Sequence, residues 1–225
     1  MASGEMSRPA FLAFLTASLR HAATVSQDGA VHFVCIDWRH VADLMTAGEQ
    51  VYGEVLNLVV WAKANAGQGS FYRSQHELIG VFRVGRTPHL NNVELGRHGR
   101  NRSNVWRYSG VNSFGAARME ELRLHPTVKP VALVADAIKD CTRRGDIVLD
   151  TFCGSGTTIL ACERVGRRGH GVEIDPAYVD VAVRRWQAFT GRDAVLASTG
   201  ATFDEVAAER CANLPGRRSR DRARR

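Results

Sequence analysis

The sequence predicts an α/β fold built on a Rossmann-like sheet, with a basic segment inserted into it. Three observations carry that expectation. Residues 146–175 read as strand, glycine turn, helix and second strand. Apolar strand-like runs alternate with helix-like ones along most of the chain. Residues 85–125 interrupt this alternation with a stretch that has no period.

Asp146 to Leu149 is apolar and β-branched, as a strand buried on both faces should be. Asp150 ends it, and Gly154-Ser155-Gly156 makes a turn open only to small residues. Thr157 to Val165 has helical apolar spacing at Ile159, Leu160, Cys162 and Val165, and His170 to Ile174 reads as a second strand, closed by Glu173 and Asp175. A strand, a glycine turn, a helix and a strand ending in a carboxylate form a nucleotide-binding βαβ unit. The glycines let backbone approach a ligand, and the carboxylate can accept both ribose hydroxyls. A dinucleotide site would want a third small residue where Ile159 stands, so NAD fits poorly.

Upstream, Ser7 is placed to cap a helix with Pro9 in its first turn. Ala30–Ile36 is a strand, a helix follows near 39–47, and Glu54–Ala62 is a continuous apolar strand. Residues 63–75 are a Gly/Ser/Asn-rich loop, and His76–Val84 returns as a strand. The unpatterned segment after it holds Trp106, Tyr108, Phe114 and several asparagines, which reads as an ordered insert facing the substrate. Thr127 starts a helix to about Thr142, another spans about Pro176–Phe189, Ala194–Ala197 is a short strand, and Phe203–Arg210 is helix-like. The expected division is 1–84 for a base-binding half, 85–124 for the insert, 125–200 for a cofactor half and 201–225 for a basic tail.

Composition narrows the class of protein. The chain has 225 residues, 44% hydrophobic, with no apolar run of membrane-span length, so a cytoplasmic protein without membrane contact is expected. Five scattered cysteines, with no Cys-x-x-Cys, argue against zinc and against a disulfide framework, and no metal is expected. Net charge is +7. Five arginines (86, 97, 100, 102 and 107) face one acid, Glu94, in the insert, and six of the last nine residues are arginine. Basic loops and tails of this kind suit a polyanion.

The pattern Asp150-x-Phe152-x-Gly154-x-Gly156, with Glu173 at the next strand's end, resembles the S-adenosylmethionine motif of amino-methylating DNA methyltransferases. His125-Pro126-Thr127-Val128-Lys129-Pro130 is similar to the block that precedes that motif in the permuted class of N6-adenine and N4-cytosine enzymes. Val60-Trp61-Ala62-Lys63, followed by Tyr72-Arg73-Ser74-Gln75-His76-Glu77, resembles the family's strand-loop-strand beside the flipped base. The resemblance covers about residues 7–200. It implies transfer of a methyl from S-adenosylmethionine to the exocyclic amine of a base in double-stranded DNA, adenine N6 before cytosine N4. It also implies that Thr127, Lys129, Asp150, Phe152, Gly154, Gly156 and Glu173 hold the cofactor. Tyr72 and Arg73 would then face the base, and Arg97, Arg100, Arg102 and Arg107 the phosphates. A cognate restriction endonuclease is an open companion.

One departure qualifies the resemblance. The family's catalytic tetrapeptide is Asp/Asn/Ser-Pro-Pro-aromatic, yet all six prolines (9, 88, 126, 130, 176 and 215) are isolated. Asp175-Pro176-Ala177-Tyr178 imitates the tetrapeptide in the wrong place, where a helix start is expected. No catalytic residue is therefore assigned. The expectation is a methyltransferase lacking its N-terminal catalytic segment and one central strand, with backbone left unpaired on strands 30–36 and 146–150. The rival readings are a non-catalytic cofactor- or DNA-binding remnant and, less well matched, an NAD-dependent oxidoreductase.

Overall fold

The computed structural model describes residues 6–97, 101–110 and 129–212. Helix α1 (Arg8–Thr24) starts as Ser7 predicts: its Oγ accepts the Ala10 N–H, and proline occupies the first turn. Leu15 and Leu19 of α1 pack on Leu44 and Ala47 of α2 (Val41–Val51), over Phe82. The second helix begins and ends later than the 39–47 expected, because Asp37 first caps a turn through the Arg39 and His40 N–H groups.

Strands β1 (Val31–Ile36), β2 (Glu54–Ala62), β3 (His76–Arg83) and β4 (Val105–Arg107) form one sheet in the order β1-β3-β2-β4. The central β3 is antiparallel to both neighbours, and β4 is parallel to β2. The short β4 lies inside the segment that showed no period, since three residues are too few to display one. Strands β5 (Ile147–Asp150) and β6 (Arg168–Gly171) make a second, parallel pair. The sixth strand is shorter and earlier than the 170–174 expected. Past Gly171 the chain peels away, with the Val172 N–H on Asp150 and the Val172 carbonyl accepting from Cys153. Helices α4 (Thr157–Val165), α5 (Pro176–Thr190) and α6 (Phe203–Ala212) follow expectation, and Asp175 caps α5 as read. Residues 194–197 make only a single bridge, Val195 to Thr202.

Helix α3 (Val131–Cys141) links the two sheets. Leu133 and Ala137 on one side join the cluster of Val59, Trp61, Ile79 and Val81. Ala135 and Ile138 on the other join Ala161, Cys162 and Val165 of α4. Between the sheets no ladder runs: among the described residues β1 pairs only with β3, and β5 only with β6. The expectation that β5 is buried on both faces is corrected here. Val148 packs toward α3 and α4, whereas Ile147 and Leu149 stand 60% and 41% exposed. No helix of the described residues is long and apolar enough to cross a membrane.

Candidate cofactor and nucleic-acid site

Parallel β5 and β6 bring Asp150 and the 172–175 turn to one end of their sheet. Asp150 organises the glycine loop: Oδ1 accepts the Phe152 N–H at 3.0 Å and Oδ2 the Thr158 hydroxyl at 2.5 Å. Glu173 closes it from the other side. Its Oε2 accepts the Gly154 N–H at 2.7 Å, and its Oε1 accepts the N–H groups of Ile174 and Asp175 at 2.9 and 3.0 Å. The carboxylate is thus aimed across the loop rather than into solvent. Gly154 and Gly156 have φ of 51° and 81°, in the left-handed region that favours glycine. The second glycine serves packing as well as ligand approach, since a Cβ there would lie 2.7 Å from the Ala182 Cβ of α5.

Around this carboxylate the surface is apolar. Phe152 is 63% exposed and Ile174 96%, and Phe14 of α1 meets the Phe152 ring edge-on at 6.2 Å. Lys129 faces the site from the start of α3. Its ammonium lies among Cys35 of β1, Glu77 of β3 and Asp150 of β5. Burial pushes the Cys35 thiol up, so near neutrality it is uncharged, and Glu77 and Asp150 are the charges the ammonium meets. Glu77 also binds the Lys63 Nζ at 2.7 Å. Cys153 in the loop is pushed up to about 11, chiefly by burial, and behaves as a small neutral residue. No group of residues that could hold a metal occurs among the described residues.

The structure therefore brings together Lys129, Asp150, Phe152, Gly154, Gly156 and Glu173; Thr127 lies outside the described residues. It adds Phe14, Glu77 and Ile174. Ile174 had a signal in its place beside the strand-end acid, and Glu77 in following His76, whereas nothing local marked Phe14.

The basic residues separate into distinct roles. Tyr72 is 82% exposed on the 63–75 loop, and Arg73 beside it bonds the carbonyls of Gly67 and Ala66. Arg97 is exposed and pairs with Glu94, Arg107 is exposed at the end of β4, and Arg100 lies outside the described residues. Arg102 is the exception. Its guanidinium stacks 4.6 Å over Trp106, reaches Asp140 at 2.7 Å and donates to the Tyr108 hydroxyl, which in turn donates to Asp136. That half-buried, fully engaged position makes it an anchor of the insert. A cavity of about 290 Å³ lies beside this anchor, lined by Phe33, Val59, Trp106 and Asp140, apart from the glycine loop.

Comparison with known proteins follows the same lines. The sequence model of the DNA methylase family of N6 and N4 methyltransferases matches residues 2–184. The type II methyltransferase M.HpaI of Haemophilus parainfluenzae is 40% identical over 98 residues, 43% of this chain and 30% of that protein. M2.DpnII of Streptococcus pneumoniae is 28% identical over 178 residues, 76% of this chain and 62% of that protein. The chain thus spans about a third to three fifths of these relatives' length. Among solved structures, the M1.HpyAVI–SAM complex superposes with a TM-score of 0.63 at 22% identity, over 76% of this chain and 81% of that one. The cytosine-N4-specific PvuII DNA methyltransferase gives 0.68 at 16% identity, over 88% of this chain and 76% of that one. These likenesses establish a methyltransferase-type, Rossmann-like fold, and the chain belongs to the N6/N4 DNA methylase family.

Proposed function

We propose that the chain binds S-adenosylmethionine at the glycine loop and presents its methyl to an exocyclic amine of duplex DNA, adenine N6 in preference to cytosine N4. The observation that carries this reading is Glu173, a carboxylate fixed across the loop by three backbone N–H groups and flanked by exposed Phe152 and Ile174. A ribose diol suits the carboxylate's remaining acceptor capacity, and the two apolar side chains suit an adenine face. The residues fit the cofactor: the glycine turn and Phe152 after β5 meet the acid and Ile174 after β6 at one end of that sheet. When bound, S-adenosylmethionine supplies an electrophilic methyl on sulfonium. Lys129, with Glu77 and Asp150 around its ammonium, places a positive charge at the rim toward β1.

DNA as substrate is supported by the relatives' names as type II methyltransferases and by the basic surface that includes Arg97 and Arg107. The amine-binding tetrapeptide is absent from these 225 residues, which favours a second reading: a cofactor- and DNA-binding unit that turns over only when another segment supplies that element. Calorimetry tests the cofactor assignment. S-adenosylmethionine, or the S-adenosylhomocysteine left after methyl transfer, should bind, and NAD should not. Preferential binding of NAD would overturn it.

A further inference from the structure

The loop between β2 and β3 holds two aromatic rings in water. Phe71 is 85% exposed and Tyr72 is 82% exposed, and their ring centroids lie 4.2 Å apart. A stacking platform inside a base pocket would be sheltered on one face, and loop packing would bury the rings; neither describes them. The loop below them is braced. The Lys63 N–H bonds the Gln75 carbonyl at 2.9 Å, and the Gly67 N–H bonds the Ser74 carbonyl at 2.7 Å. The Gln75 amide returns to Lys63 and Ala64, and the Arg73 guanidinium spans the carbonyls of Ala66 and Gly67. A Cβ on Gly69 would lie 2.7 Å from the Tyr72 carbonyl, so the tip folds tightly back on itself. Only residues 68–72 project beyond this stitching.

The projection stands at the rim that carries the cofactor loop. Strands β1 and β2 run parallel, so Ile36 and Ala62 end at one rim, and Glu77 beside Ala62 faces the Lys129 ammonium together with Asp150. Arg107, in register with Ala62, adds positive charge on the same rim. An exposed aromatic pair on a braced tip, with Arg73 in the tip and Arg107 at the same rim, fits a stacked polyanion.

We propose that Phe71 and Tyr72 form a wedge that enters the base stack of duplex DNA and fills the space left when the target base is extruded. This rests on the DNA-methylating reading and adds to it the device that opens the duplex. Extrusion leaves an unstacked gap, and an aromatic ring that fills the gap recovers part of the lost stacking.

The test compares binding of the full chain to a labelled duplex and to the same duplex carrying one abasic site, by fluorescence anisotropy. A wedge gains where the gap already exists. The wild-type chain should prefer the abasic duplex by about tenfold, within the range that base–aromatic stacking supplies. Phe71→Ala with Tyr72→Ala should abolish the preference, leucine at both positions should reduce it, and Phe71→Trp with Tyr72→Phe should keep it. Equal affinity of the wild type for both duplexes, or a preference that survives the double alanine change, overturns the wedge. Calorimetry with S-adenosylmethionine on the same proteins separates the two claims. Cofactor binding without binding of either duplex overturns the wedge and leaves the cofactor site standing, and loss of both overturns both. Cofactor affinity should be equal in wild type and all three variants.

Discussion

At the residue scale, Glu173 does two jobs that substitution can separate. It accepts three backbone N–H groups, and in the proposed function it also takes the cofactor's ribose. Glu173→Gln keeps one acceptor oxygen and the shape of the side chain, so the loop should persist while S-adenosylmethionine binding weakens about ten- to a hundredfold. Glu173→Ala should also lower the melting temperature, by leaving the Gly154 N–H unbonded. Calorimetry and thermal denaturation on the same two variants check both parts. A second residue, His32, lies outside any reading the sequence offered. The Tyr52 hydroxyl and the Ser26 Oγ contact its two ring nitrogens at 2.8 and 2.9 Å, and the Ser26 hydroxyl donates to the Ala22 carbonyl. Read along that chain, Nε2–H donates to Ser26 and Nδ1 accepts from Tyr52, so the ring is neutral. Burial lowers its pKa below the ordinary value of 6.5. The unfolded state then binds the proton more readily. The ring's contribution is complete above about pH 6.5 and declines as pH falls toward and through the folded-state pKa. Urea midpoints should therefore drop on acidification more in wild type than in His32→Asn, and equal slopes would refute the assignment.

At the element scale, what the sequence made legible and what it hid have separate physical causes. The glycine loop, its helix and the acid after the next strand announce themselves, because turn chemistry and apolar spacing are local. The insert did not, because its order comes from distant partners. Strand β4 is three residues long, and its neighbour Arg102 is fixed by Asp136 and Asp140 from α3. A cluster of arginines read as phosphate contacts therefore contains one that is an internal brace. Arg102→Ala should destabilise the fold by about 2–4 kcal/mol, since it removes the ion pair with Asp140 and uncovers Trp106. Arg107→Ala should leave stability within about 0.5 kcal/mol and weaken DNA binding instead. Chemical denaturation beside a salt titration of DNA affinity distinguishes the two roles. The glycine loop offers a parallel case. Gly156→Ala combines a left-handed φ with a Cβ driven into Ala182, and should lower stability by about 1–3 kcal/mol before any effect on ligand is considered.

At the scale of the whole molecule, the feature that orders the rest is the break between two sheets. Helix α3 spans it with one side on each, yet no strand ladder crosses it among the described residues. Among the described residues, strands β1 and β5 each present an unpaired edge beside Lys129, and Ile147 and Leu149 are exposed on that border. An apolar strand with a free edge is a template for another strand. The family resemblance locates the amine-binding tetrapeptide at the end of such a strand, and these 225 residues contain no consecutive prolines. We propose accordingly that these residues supply a cofactor loop and a DNA-facing surface, and that chemistry needs one further strand between β1 and β5. The direct measurement is transfer of tritiated methyl from S-adenosylmethionine to unmethylated DNA, made on the 225-residue chain alone and on the same chain joined in frame to an upstream strand ending in Asp-Pro-Pro-Tyr. The predicted result is no transfer above background by the first and clear transfer by the second. Clear transfer by the 225-residue chain alone would contradict it, and would mean that an amine-binding site exists among the residues already present.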